Sequence, residues 1–493
     1  MKKLLAAFTT LISVFAFYEV VESPINGIAK FIISAVILFL SGMCLQKLLN
    51  LNGEKGIIIL ATERGKKSLD RLAAWNPGVW RSLADFGMVM GFGASSALLF
   101  KKISRRNLKV SLLVLMLSIL FVLPFVLPVA VSIIELPIST SILRGSASAN
   151  SAPESSSVLL YYIVFFSLLI GGFCIAGVMS FIGYGLFITY SIFMKLLSIF
   201  GVPAGNAEAL TAITPGAAPI IPGINLPFFE GILALAVILF FHEVSHGILA
   251  RVEKIKVKNS GLVLFGFIPI GAFVEPDEDQ LQKSDPEKQK NVLVAGSSAN
   301  LVLSIVFFLF FIGYLLVIID SYPPPNSYID QHVLISEVAR GSPAYGILKP
   351  GMVVEQWNGV ELHTLYDFYN ASNMTKENDT VSIVTDSGYF LLKAGENGKV
   401  GVLTFSDAGL SGWIRELSYQ PGKWWLAFLY NFIGLTFVLN FLVGTVNLLP
   451  IPPFDGYRII SLVVKGEKLI KAIAIAMIVF FAINLIPWIW YRG

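Results

Sequence analysis

The chain has 493 residues, 55% of them hydrophobic and 14% charged, with a mean hydropathy of +0.74, which excludes an ordinary soluble globular protein and places the chain in a membrane. Its formal charge of +4 does not argue for nucleic acid as a partner, because the basic residues cluster beside apolar segments, where positive charge orients a protein in the bilayer. Cys44 and Cys174 both lie in apolar stretches, so neither a disulfide framework nor a thiolate metal site is expected, and a metal would have to be held by His and carboxylates.

A hydrocarbon core of about 30 Å needs roughly 20 apolar residues to cross it. Spans are predicted near 4–21, 28–48, 110–134, 157–178, 180–200, 226–249, 291–319, 424–447 and 467–489. The first, behind Met1-Lys2-Lys3, reads as an anchor, since a second apolar run follows almost at once and no small-x-small cleavage site ends it. Residues 49–82, with Lys55, Arg64, Lys66, Lys67, Arg71 and Arg81, read as cytoplasmic, and so does the basic run 101–106. Between them, 83–100 is apolar but rich in Gly and Ser, and its basic flanks favour a re-entrant or interfacial segment over a span. No ionisable cluster lies within an apolar segment of residues 1–200, and packing is the expected role there.

Residues 139–157 and 201–227 are expected as external loops. The same parity puts Arg251, Lys254, Lys256, Lys258 and the charged stretch 275–290 inside, 320–423 outside, and the end of the 424–447 span inside again. Residues 328–406 are polar, with strand-like runs at 352–357 and 381–385, and predict a small β-rich soluble domain rather than a long structureless loop. His332 and His363 fall within it and read as surface or packing residues.

The chemistry concentrates at Phe241-His242-Glu243-Val244-Ser245-His246-Gly247. A spacing of four puts both imidazoles on one face of a helix, where they can share a metal. Ionisable groups in a spanning segment are costly unless they pair or coordinate something. Glu243, next to the first imidazole, is placed to take a proton from a metal-activated water. The remaining histidines lie on the other side of the membrane by the parity above, so a carboxylate must complete the set. Asp455, in Asn447-Leu448-Leu449-Pro450-Ile451-Pro452-Pro453-Phe454-Asp455-Gly456, follows a span that ends on the same side as His242 and His246. Prolines interrupt the helix there, freeing backbone groups that only a buried or wet cavity tolerates.

The pair H-E-x-x-H and N-x-x-P-x-x-x-x-D-G resembles the signature of the site-2 protease family of intramembrane metalloproteases. Both match at every fixed position, and the resemblance covers residues 226–489. It implies Zn2+ held by His242, His246 and Asp455, Glu243 as general base, and Asn447 helping to hold the substrate backbone. Residues 265–276, with Pro269 and Gly271, resemble the family's membrane-dipping hairpin that presents substrate as a strand, although Ala272 stands where a second Gly is common. Residues 291–300 resemble its G-x-x-x-N helix, with Ser297 where many members carry Pro, and by that likeness Asn300 is a second substrate-binding residue. Gly271 serving a turn, and Asn300 serving helix packing, are alternatives that the residues leave open.

Ser342-Pro343-Ala344 followed by Leu348, Gly351 and Asn358-Gly359 resembles the corresponding stretch of PDZ domains, with a shortened gap after Ala344 and Met352 where Asp is usual. Such a domain binds a peptide by strand addition or serves as a size filter, and the residues do not separate the two. The implied fold is a polytopic α-helical membrane protein with an inserted PDZ-like β-rich domain. Residues 1–200 form an N-terminal transmembrane region, 201–320 and 424–493 the protease core, and 321–423 the external domain.

The expected partners are transmembrane protein substrates, a peptide on the PDZ-like domain and the lipid bilayer. The expected place is a prokaryotic plasma membrane, with the zinc site toward the cytoplasm. A catalytically silent scaffold or a metal transporter are the alternatives. The first has no need of Glu243 beside an intact ligand set, and the second would line a pathway with further intramembrane carboxylates.

Overall fold

The computed structural model describes residues 2–23, 27–62, 64–100, 103–133, 155–200, 215–223, 225–324, 332–338, 341–349, 352–362, 365–395, 398–407 and 409–491. Most of the two expected external loops, and His363, lie outside the described residues. Two compact units emerge. One gathers the described residues of Met1–Ser139, Ser155–Phe311 and Asn431–Gly493, the other those of Ile312–Tyr430. Among the described residues nine helices are long and apolar enough to cross a membrane, so the protein is polytopic and α-helical, with a β-rich insert.

In the first unit, α1 (Lys2–Glu22) and α2 (Gly27–Leu49) lead into a short hairpin, β1 (Asn52–Glu54) and β2 (Ile57–Thr62). After α3 (Arg64–Trp75) comes α4 (Pro77–Phe92), capped by the Asn76 side chain on the Gly78 and Val79 amides and started by Pro77. It is followed by α5 (Arg105–Leu117), α6 (Leu123–Ile133) and α7 (Ser155–Ile199). The H-E-x-x-H helix is α8 (Phe228–Val252), with Glu230 in its first turn and Arg251 in its last, each complementing the helix dipole. Next come β3 (Val257–Phe265), β4 (Ile268–Pro276) and α9 (Pro286–Ser321), and after the insert α12 (Trp425–Val446), α13 (Asp455–Val463) and α14 (Glu467–Tyr491).

Three features depart from the sequence reading. Residues 83–100 belong to a candidate span, Pro77–Leu99, because glycine lets α4 pack closely rather than skim a surface. A Cβ on Gly87 would fall 1.7 Å from the Ser298 hydroxyl of α9, and one on Gly91 2.9 Å from Leu448. Spans 157–178 and 180–200 are joined through residue 179, and the break falls instead at Gly172, whose φ of 65° L side chains rarely adopt. A Cβ there would strike the Gly91 backbone at 2.4 Å, so the break in α7 nests against the end of α4. Residues 49–82 contribute two strands: β1–β2–β3–β4 form one antiparallel sheet in which Ile58 pairs Leu264 and Leu60 pairs Leu262. Ile58 is fully buried against Ala6 and Leu45.

Buried charge ties α4 to α9. Lys290, fully buried, pairs with Glu287 and with Asp85 of α4 at 3.5 Å, and Asp85 also accepts from Asn107 at 2.7 Å. Alongside, Glu253 accepts from Arg81 at 2.9 Å and from Asn291 at 3.0 Å. Residues of the N-terminal region are thus part of the packing around the H-E-x-x-H helix.

The second unit contains β5 (His332–Val338), β6 (Val353–Trp357), β7 (Val360–Glu361), α10 (Leu365–Asn373), β8 (Thr380–Thr385), β9 (Gly388–Lys393), β10 (Val402–Asp407) and α11 (Gly409–Ser418). The sheet order is β10-β5-β6-β8-β9, with β7 on β6. Val333, Ile335, Trp357, Phe368, Val381 and Ile383 make its core, and the Trp357 indole donates to Thr375 at 3.1 Å.

Candidate active site

Two separate segments converge. His242 and His246 lie one turn apart on α8, and Asp455 opens α13. His242 Nε2 and His246 Nε2 are 3.2 Å apart, and Asp455 Oδ2 lies 3.6 Å from the first and 3.2 Å from the second. Tetrahedral zinc with bonds of about 2.0–2.1 Å spaces its ligand atoms about 3.3–3.4 Å apart, so this triangle fits such an ion. Among the described residues these three side chains form the group suited to a metal.

Neighbouring helices keep the space open and aim the rings. A Cβ on Gly296 of α9 would sit 2.4 Å from His242 Nε2 and 2.5 Å from His246 Nε2, so any larger residue would crowd the two ring nitrogens that an ion would need. One turn before Gly296, the Val292 carbonyl accepts from His246 Nδ1 at 2.7 Å, which leaves Nε2 as the donor atom toward the metal. One turn after it, the fully buried Asn300 amide lies 3.1 Å from His242 Nδ1. Its Oδ1 has no hydrogen-bond partner among the described residues. A zinc-ligating imidazole carries its proton on Nδ1, and turning the amide oxygen toward the ring would satisfy both atoms. Asn300 therefore touches the His242 ring rather than open space.

Asp455 is held by backbone. The Gly456 amide donates to the Asn447 carbonyl at 2.7 Å, and a Cβ on Gly456 would fall 2.0 Å from the Leu448 carbonyl, so the D-G pair closes a turn no larger residue fits. The buried Cys174 thiol of α7 also donates to the Leu448 carbonyl, at 3.1 Å. In the metal-free protein burial pushes the Asp455 carboxyl up, but the charge on His246 outweighs it and holds the carboxyl well below the usual carboxylate range. Asn447 is half-buried beside this turn.

Glu243 points elsewhere on α8. Its Oε2 accepts from the Val274 amide of β4 at 2.9 Å. Among the described residues β4 is the edge strand of its sheet, paired with β3, and Ser260 faces Val274 across that pair. The hairpin turns at Gly266, with φ of 63°, while Gly271 lies within β4, where a Cβ would make an ordinary 3.7 Å contact with Val263. Gly271 therefore serves a strand and not the turn.

Sequence reasoning named the converging side chains but missed their supports. Val274 and Val292 contribute backbone groups, which leave no mark on side-chain pattern. The Ile57-Ile58-Ile59 run after Gly56 was a readable strand signal for the sheet that holds β4.

The sequence profile of peptidase family M50 matches residues 230–487, just over half of the chain. An uncharacterized protein of Methanocaldococcus jannaschii is 29% identical over 238 residues, 48% of this chain and 57% of the relative's length. The chain thus spans little more than half the length of the curated relative it matches.

Proposed function

The chain belongs to peptidase family M50, and from that premise we propose that it is an intramembrane zinc metalloprotease, hydrolysing peptide bonds in or beside transmembrane segments of other proteins. The observation that carries this reading is the ligand triangle of His242, His246 and Asp455 around the gap left by Gly296. Zinc held there would polarise the scissile carbonyl and lower the pKa of its water to about 7.

The chain's own residues do the rest. Glu243 accepts the proton of the attacking water and later delivers it to the leaving amine. Asn300 and the Val292 carbonyl fix the two imidazoles, and Asn447 orients the substrate backbone. A helix has its carbonyls bonded internally, so the substrate must unwind near the scissile bond, and β4, the outer strand of its sheet, offers it a strand to pair with. Substrates with helix-weakening residues there are favoured. Arg251 in the last turn of α8 and Lys254, Lys256 and Lys258 after it support a site opening to the cytoplasmic side of a prokaryotic plasma membrane. The β-rich insert would select substrates, by taking a peptide on a sheet edge or by excluding bulky domains.

The test is cleavage of a panel of single-span proteins by the purified protein. Cleavage that a chelator stops and added zinc restores supports the reading. Cleavage indifferent to the chelator overturns it.

A further inference from the structure

A cleft of about 420 Å³ opens where α3, the start of α4, the end of α8 and the turn after it meet. The reaction described above assigns it no role. Its charged lining is Arg251, Lys254 and Lys256 against Asp70 alone, so three cations face one carboxylate. Arg251 Nε lies 3.0 Å from Asp70 Oδ1 without the alignment of a hydrogen bond. Lys258 just beyond the cleft is paired with Asp277 at 3.6 Å, whereas among the described residues no ion pair holds the ammonium of Lys254 or Lys256.

The two lysines ride on a fixed turn. The Ile255 amide donates to the Ala250 carbonyl at 2.7 Å and the Lys254 amide to the Arg251 carbonyl at 3.0 Å, with Lys254 at a φ of 64°. Glycine is the usual residue at that place, because a side chain is unfavourable in the left-handed region. Ending the helix therefore does not account for the lysine. Gln280 clamps the same turn, its Oε1 accepting from the Lys256 amide at 2.8 Å and its Nε2 donating to the Lys254 carbonyl at 3.1 Å.

The surplus of positive charge calls for an anion, and a phosphate group suits a guanidinium beside two ammoniums. The surroundings decide what carries it. Val252 closes the candidate span Phe228–Val252 and Pro77 opens Pro77–Leu99, and both line the cleft, which sets it at the level of lipid headgroups. Beside it Trp75, 71% exposed, packs edge-on against Trp80, and Leu72 and Val79 are exposed as well, an aromatic and apolar border of the kind found at a membrane interface. A free nucleotide would leave that border bare, and the lining amide that could read its base, Gln280, is engaged at both ends. We propose that this cleft binds the phosphate headgroup of an anionic phospholipid, with Arg251, Lys254 and Lys256 around the phosphate and Leu72, Trp75 and Val79 bordering the acyl chains. The site stands apart from the chemistry at His242, His246 and Asp455.

The test offers the full-length protein, in neutral detergent, phosphatidylglycerol and phosphatidylcholine with the same acyl chains, and reads by native mass spectrometry which lipid stays bound. Wild type should retain phosphatidylglycerol over phosphatidylcholine by at least about tenfold at one site. Lys254→Gly combined with Lys256→Gln should bring the preference within about twofold with helical circular dichroism unchanged, since glycine is at home in that turn. Lys256→Gln alone, which leaves the end of α8 untouched, should lower it about fivefold. Lys465→Gln combined with Lys468→Gln, two exposed lysines outside the cleft, should keep the wild-type preference, and inorganic phosphate at the lipid's concentration should not displace the lipid. An equal fall in both double variants would mean diffuse attraction to a basic surface, displacement by inorganic phosphate would mean a site for a soluble anion, and no preference in wild type would mean that the cleft holds no anionic lipid. Each of these overturns the proposal.

Discussion

Gly296 and Asn300 sit one turn apart on α9 and both act on His242, one by leaving space and the other by touching Nδ1. Gly296→Ala should therefore abolish stoichiometric zinc while the helical circular dichroism is kept. Asn300→Ala should weaken zinc binding by about 10- to 100-fold, the usual loss for a partner of a metal ligand. Competition with a calibrated chelator measures both, and unchanged affinity in either would remove that residue from the site. His242 and His246 were legible in the sequence because a spacing of four is enough to place two side chains on one helical face. Asp455 needed the charge-derived parity as well. The role of Gly296 was not legible, since a glycine's contribution is an absence of atoms that only the facing helix defines.

At the scale of elements, buried charge joins α4 to α9. Lys290 is fully buried between Asp85 and Glu287, and removing one partner of a buried pair strands the other charges at a cost of about 3–5 kcal/mol. Lys290→Ala should lower stability in detergent by that order, read as an earlier loss of helicity on denaturant titration. An unchanged midpoint would mean that water reaches the pair. The spans were legible because hydropathy is a length-scale signal. The break in α7 and the packing of α4 were not, because both depend on backbone approach at Gly91 and Gly172. The Arg81–Glu253 pair likewise joins residues 172 positions apart, which no local window relates.

For the whole molecule, one candidate span was added at Pro77–Leu99, and the two expected spans fall within one candidate segment, Tyr162–Leu197, broken at Gly172. A span at Pro77–Leu99 would put the basic run 101–106 on the opposite face from residues 49–76, against the reading of both as cytoplasmic. The β-rich insert was legible as a change of composition, and its core closes on its own residues. Excised as 321–423, it should unfold in a single cooperative transition, and Trp357→Ala should cost about 3–5 kcal/mol of its stability. A non-cooperative melt of the excised segment would show that its fold depends on the rest of the chain.

The account turns on a metal held by three residues and a base that does not hold it. The direct measurement is zinc content beside cleavage of one single-span substrate for wild type, Glu243→Gln and Asp455→Ala. One zinc per chain is expected in wild type and Glu243→Gln, with turnover reduced by about 10²- to 10⁴-fold in the latter, and neither zinc nor cleavage in Asp455→Ala. Full zinc in Asp455→Ala, or wild-type turnover by Glu243→Gln, would contradict it.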